Sequence, residues 1–362
     1  MNIPTEQVGS IPRPVELILG MRAHAAGQLD DRGLQQLFDA ALSDTIRRLE
    51  LTGSGVITDG EQSKPSFATY PISGMQQLSP DGVTIPFADG HTRQLPKITQ
   101  GPFRYQTYAD EYLNNARKWT KLPVKQAVIS ASAMSLLYPS EGIEGYPREQ
   151  FILDLLDEAE TDIRRCLNSG AYNVQIDFTE GRLSLKLDPS GGLLRSFIDL
   201  NNQVLSRFTE EERKRIGVHS CPGGDHDSTH SADVAYAKLL PLLFQLNAGS
   251  FYLEYAGERD KQSVLRSIRE AMRPGQRVFL GVTDVLSPRV ETAEEIRDLI
   301  LEAAEIIPFE QLGTTDDCGF SPFADDISTS REIAFAKIKA RVDGTRVAEL
   351  ALSKSSSMSY RF

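Results

Sequence analysis

The sequence predicts an α/β fold, a (β/α)8 TIM barrel built as one domain over residues 1–362 with an insertion at about 63–119. Three observations carry that prediction. Short β-rich runs alternate with helical runs about eight times without a break in composition, the rhythm of a parallel sheet. No glycine-rich dinucleotide fingerprint follows the first run, which argues against an open doubly wound sheet. Nearly every β-rich run ends in a polar or metal-capable residue, and in a barrel those ends share one face.

Val8–Ser10 closes the first extended run, and Asp31–Leu51 follows as a helix with Leu34, Leu37, Phe38, Leu42, Ile46 and Leu49 at helical spacing. Gly53 suits its stop, and Gly55–Asp59 is the next strand. From Ser63 to Trp119 the chain is rich in Pro, Gly and aromatics, with a hairpin or extra strand expected around Lys97–Tyr105. Val124–Ile129 reads as a strand, and Arg148–Asn168 as an amphipathic helix closed by Gly170. Strands are then expected at Asn173–Phe178, Ile216–Cys221, Phe251–Tyr255, Val278–Asp284 and Gln311–Thr315. Helices are expected at Ser231–Leu246, Gln262–Met272 and Arg331–Leu352. Capping boxes at Thr209–Glu212 and Thr292–Glu295 mark two further helix starts.

Composition narrows the class of function. A chain of 362 residues, 40% hydrophobic and 25% charged, buries a large core unaided. Its net charge of -11 argues against nucleic acid or a membrane surface as partner, since both favour clustered Lys and Arg. The apolar stretch near Leu239–Leu246 is short for a bilayer span and contains Pro241. The start, MNIPTEQVGS, shows no signal-peptide pattern, and three cysteines are not a disulfide framework, so a cytoplasmic location is expected.

The run ends supply the chemistry: Gly9-Ser10, Asp59-Gly60-Glu61, Asp177, His219-Ser220-Cys221, Glu254, Asp284 and Asp316-Asp317-Cys318-Gly319. His219 and Cys221, two residues apart on a strand, face the same side. Glu254 can join from the neighbouring strand end, and Cys318 from two strands further round. An imidazole, two thiolates and a carboxylate suit a tetrahedral Zn2+. Singly each residue has a plainer reading: a strand-end Cys as a small buried residue, a Glu as a helix cap. Cys166, within the Arg148 helix, belongs to the core, and His226 and His230 belong to a loop. A centre so rich in negative charge is poor at polarising water and suited to holding an incoming thiol as its nucleophilic thiolate. Glu61 and Asp177 are placed to receive a substrate ammonium, with Gly9 and Ser10 offering hydrogen bonds to a carboxylate. The alternative is that those acids cap the next helices or pair with Arg182 and Lys64.

The segments Val8-Gly9-Ser10, Asp59-Gly60-Glu61, Gln175-Ile176-Asp177, His219-Ser220-Cys221, Tyr252-Leu253-Glu254, Asp284-Val285-Leu286-Ser287-Pro288 and Asp317-Cys318-Gly319 resemble the catalytic half of cobalamin-independent methionine synthase. The resemblance implies Zn2+ on His219, Cys221, Glu254 and Cys318, and homocysteine held by Gly9, Ser10, Glu61 and Asp177. It places Asp284 as a catalytic residue. The implied reaction is methyl transfer to homocysteine, giving methionine, with a methyl-folate or a methylated corrinoid protein as donor. Departures accompany the likeness. Leu286 stands where the family has a His, Phe178-Thr179 replaces Glu-Pro, Asp-Asp precedes Cys318, and one barrel stands where full-length synthases carry two. The alternatives are zinc-dependent alkylation of another thiol (as in epoxide opening by coenzyme M), a metal-free barrel of the uroporphyrinogen decarboxylase type, and a zinc- or thiol-binding protein without turnover.

Overall fold

The computed structural model describes residues 2–359. Its strands, in chain order, are β1 Leu78–Ser79, β2 Thr84–Pro86, β3 Thr92–Gln94, β4 Lys97–Ile98, β5 Gln126–Ile129, β6 Val174–Asp177, β7 Ile216–Ser220, β8 Gly224–Asp225, β9 Ser228–Thr229, β10 Ser250–Leu253, β11 Arg277–Gly281 and β12 Leu312–Thr315. A six-stranded sheet runs β12-β11-β10-β7-β6-β5, with every neighbouring pair parallel. The core strands are Val-, Ile-, Leu- and Phe-rich because helices cover them.

Two further segments close the sheet into a ring. Thr5 bridges Thr314 of β12 in parallel, with Glu6 N donating to Thr314 O at 3.0 Å. Ile57 bridges Val124 just before β5, and Lys125 N donates to Ile57 O at 2.8 Å. Thr58 Oγ1 donates to Gly9 O at 2.9 Å and Ile11 N to Gly60 O at 3.0 Å, joining the two segments to each other. This is the (β/α)8 ring. Its first two positions are single bridges rather than the expected runs at Val8–Ser10 and Gly55–Asp59. The chain turns at Gly60 and Glu61, with φ of 64° and 55°, before a ladder can lengthen.

Helices Asp31–Leu51 and Arg148–Asn168 form as the periodicity predicts, and both capping boxes are present at Thr209/Glu212 and Thr292/Glu295. The helix expected over Ser231–Leu246 is shorter, Tyr236–Leu243. His230 N and Ser231 N are tied back to Gly223 O and Pro222 O, which diverts the preceding backbone. Cys166 is fully buried in the core, as expected.

Within the excursion at 63–119, residues 78–98 make one long hairpin, β2–β3 at its tip and β1–β4 at its base, and the turn Tyr70–Ile72 and the helix Ala109–Ala116 flank it. Of the run Lys97–Tyr105, only Lys97–Ile98 is a strand. The tip is tied to the loop after β7: Ala88 N donates to Thr229 O at 3.0 Å, and Asp89 N to Ser228 Oγ at 3.2 Å.

Inside the ring the floor is polar but paired. Lys125 Nζ donates to Gln175 Oε1 at 2.9 Å and sits 3.8 Å from the Tyr252 ring centroid, while Tyr252 Oη donates to Glu6 Oε2 at 2.6 Å. Beside β12, Arg341 Nε donates to Asp316 Oδ1 at 2.9 Å, with both side chains at most 1% exposed. Replacing Arg341 with Leu leaves Asp316 buried and uncompensated. The variant is expected to unfold about 3–5 kcal/mol more easily in a denaturant titration. A loss under about 1 kcal/mol would show that this pair does not anchor the last strand.

Candidate active site

The site begins with the register of β6, β7 and β10. Asp177 lies opposite His219, and His219 opposite Tyr252. The Tyr252 carbonyl can only accept, so His219 Nδ1 is the donor across 3.1 Å. Among the described residues, His219 Nε2 is left buried with no hydrogen-bond partner. A ring nitrogen of His219, Cys221 Sγ and Cys318 Sγ all lie within 4.8 Å of one another, and the two sulfurs are 2.9 Å apart. An orphaned imidazole nitrogen beside two buried thiols is what a thiophilic metal ion would satisfy, and fixing the other nitrogen on a carbonyl is the usual support of a ligating His. The residues present therefore fit a metal. The hydrogen bond from Cys221 holds the Cys318 thiol well below the ordinary thiol range, and the same contact together with burial raises Cys221.

Glu254 stands apart from this trio. Its Oε2 accepts from Arg182 Nη1 at 2.8 Å, and the same nitrogen donates to Glu258 at 2.6 Å. Burial, then the charge of Asp317, raise the Glu254 carboxyl well above the usual range. Asp317 clamps the loop that follows Glu254. Its oxygens accept from Tyr255 N at 2.8 Å, Ala256 N at 2.9 Å and Gly257 N at 2.7 Å, so the segment bearing Cys318 is fastened to the end of β10. Gly281 has no room for a Cβ, which would collide with Asp317.

Gly9, Ser10, Glu61, Asp177, His219 and Cys318 line one cleft at the carboxyl end of the ring. Asp177 accepts from Gln175 Nε2 at 2.8 Å, and burial pushes its carboxyl up to about 7. It does not pair with Arg182. Glu61 does take the alternative partner, Lys64 Nζ, at 3.2 Å, and burial raises its carboxyl. Asp284 lies three residues beyond β11 and outside the cleft lining, where its carboxylate accepts from Leu286 N at 3.0 Å.

Several cleft residues had no signal in the sequence. Phe87 and Arg93 come from the hairpin, Phe323 from the loop after Cys318, and His230 from the segment after β9. Arg93 latches the hairpin, with Nη2 3.1 Å from Asp225 Oδ1 and 2.9 Å from Asp325 Oδ1. Its guanidinium lies 4.2 Å from the Phe323 ring centroid. Asp225, His226 and Asp326 also sit within 4.8 Å of one another, but Arg93 already neutralises Asp225. Arg93→Ala is therefore expected to speed amide hydrogen exchange over residues 84–94 while β6 and β7 stay protected. Unchanged exchange at the hairpin would assign its hold to the backbone contacts instead.

Comparison with known proteins agrees with the geometry. A model of the family described as "Cobalamin-independent synthase, Catalytic domain" matches residues 3–343. The "Methionine synthase" of Pyrococcus furiosus is 21% identical over 99% of this chain and 97% of its own length. The "5-methyltetrahydropteroyltriglutamate--homocysteine methyltransferase" of Ralstonia pickettii is 22% identical over 88% of this chain but only 39% of its own. Among solved structures, the B12-independent methionine synthase of Shewanella sp. W3-18-1 superposes with a TM-score of 0.76 at 20% identity, covering 98% of this chain and 100% of that one. A Listeria monocytogenes structure titled as a putative vitamin-B12 independent methionine synthase gives 0.70 at 22% identity, covering 95% and 98%. With a match spanning nearly its whole length, the chain belongs to the family of cobalamin-independent synthase catalytic domains.

Proposed function

We propose that this methyltransferase-family chain transfers a methyl group to the thiol of homocysteine, giving methionine, with Zn2+ as its metal. The observation that carries this is the buried, unpartnered His219 Nε2 beside the Cys221 and Cys318 thiols. Imidazole and two thiols are a zinc donor set, and Glu254 is the nearby carboxylate that would complete four ligands. When bound in such a set, Zn2+ lets a substrate thiol lose its proton at neutral pH.

The chain's own residues would do the rest. Asp177 receives the substrate ammonium, with Gln175 holding it in place. Ser10 and Gly9 face the substrate carboxylate from the other wall of the cleft. Gly319 must lack a Cβ there, since one would collide with Ser10 Oγ. Phe87 and Phe323 cover the cleft and limit water, which strengthens the charge pairing beneath them. Asp284 acts, in this reading, through the charge it places beside Asp317. Among the described residues no helix is long and apolar enough to cross a membrane, in keeping with a cytoplasmic enzyme.

One observation favours a second reading. Glu61 is already paired with Lys64, so half of the expected ammonium site is occupied. That suits a thiol without an ammonium, as in epoxide opening by coenzyme M. Homocysteine and coenzyme M should therefore be assayed in parallel, each with methyl-folate, a methylated corrinoid protein and an epoxide. The expected result is methionine from homocysteine, abolished in Cys318→Ser; alkylated coenzyme M with no methionine would select the second reading.

Asp177→Asn should raise the homocysteine KM about tenfold, ~1.4 kcal/mol, as expected for losing one charged hydrogen bond. In the parent, that KM should rise as pH falls through about 7, because Asp177 gains a proton and loses its charge. The Asn variant should lack this rise. An Asp whose folded pKa is raised lends stability that is lost as pH rises through that value. The ligand-free Asn variant should therefore melt no lower than the parent at pH 8. A lower Tm with unchanged KM would make Asp177 structural.

A further inference from the structure

The cleft that holds the thiol residues has a volume of only about 70 Å³, enough for a small group and not for the body of a second substrate. It opens beside a chamber of about 390 Å³ under the hairpin, within the usual size of small-molecule sites. Phe67, Ile85, Thr179 and His230 border both spaces. The chamber wall is aliphatic and aromatic, with Leu136, Leu183 and Phe197 prominent.

Two carboxylates line this chamber. Asp325 is engaged by Arg93 at 2.9 and 3.0 Å. Glu180 is not neutralised: no Lys or Arg among the described residues bonds it, and it is 5% exposed. Its Oε1 accepts from Ser130 Oγ at 2.6 Å and from Ser132 Oγ, and Asn201 Nδ2 in turn donates to Ser132 Oγ at 2.6 Å. Oε2 is buried without a hydrogen-bond partner. Two serines and an asparagine thus fix one oxygen of a carboxyl and leave the other unmatched in apolar surroundings. A buried carboxylate in that state is costly unless something pairs with it. Nothing in the methyl-acceptor site uses Glu180, and its position on the first turn after β6 puts it three residues from Asp177.

We propose that the chamber receives the second substrate, the one carrying the transferable alkyl group, and that Glu180 selects among such compounds. The class it selects has an apolar body bearing a cationic N–H donor, which pairs with the Glu180 carboxyl. This assignment rests on the reading of the adjoining cleft as the thiol site, but its test does not. Arg93 does not oppose a cation here, because Asp225 and Asp325 flank its guanidinium.

Benzamidine, an amidinium on an apolar ring, is the probe, with benzoate as its anionic counterpart. Calorimetric titration should show saturable benzamidine binding to the parent and weak or no benzoate binding. Glu180→Gln should weaken benzamidine at least about tenfold. Asp177→Asn should keep that binding, which places the probe in the chamber and not in the ammonium site of the cleft. On the parent itself benzamidine should bind more tightly as pH rises, since the ionised carboxyl is the binding form and burial raises Glu180. That measurement holds even if Glu180→Gln does not fold. Equal benzamidine affinity in the parent and Glu180→Gln, loss of binding in Asp177→Asn, pH-independent binding, or tighter binding of benzoate would each overturn the proposal. If the chamber assignment survives while homocysteine is never methylated, the failure belongs to the thiol reading alone.

Discussion

The site depends on the register of three adjacent strands. Because β6, β7 and β10 align Asp177, His219 and Tyr252 in one row, the Tyr252 carbonyl fixes the His219 ring and turns Nε2 toward the sulfurs. Side chains alternate faces along a strand, so a slip of one residue would send His219 and Asp177 to opposite sides of the sheet from their partners. Hydrophobic neighbours hold the register: Val218, Phe251 and Leu253 are at most 1% exposed. The apolar packing of the ring therefore sets the position of polar groups that contribute little to stability themselves.

Those polar groups are a cost the fold carries. Asp177, Glu61, Glu180 and Glu254 are all buried, and burial raises each carboxyl. Buried acids without full compensation destabilise a fold unless a ligand or ion completes them. Elsewhere the same chain sets buried charges against opposite ones, as at Arg341–Asp316 and Lys337–Glu291. At the mouth, Asp177 and Glu180 have no Lys or Arg partner among the described residues, and those uncompensated acids are the physical mark of the site.

Much of this was legible in the sequence. The alternation of runs gave the ring, and reading off the run ends placed Gly9, Ser10, Glu61, Asp177, His219 and Cys318 in one cleft. Cys221 follows from its spacing to His219. What was not legible depends on distant partners. Glu254 faces Arg182, 72 positions away in sequence, and no local pattern reveals that choice. The hairpin over the mouth has no periodicity to read, so Phe87 and Arg93 could not be placed. The ties at His230 and Ser231 delayed the start of a helix whose composition looked favourable. The second ring position, expected as the strand Gly55–Asp59, shrinks to the Ile57 bridge because the chain turns at Gly60 and Glu61.

His219, Cys221 and Cys318 are expected to hold a zinc ion that takes up the substrate sulfur. Zinc-edge X-ray absorption on the zinc-loaded protein, with and without homocysteine, tests it most directly. Two sulfur neighbours at about 2.3 Å are expected, rising to three when homocysteine is added. A sulfur count that does not change, or folded protein that takes up no zinc at all, would contradict it.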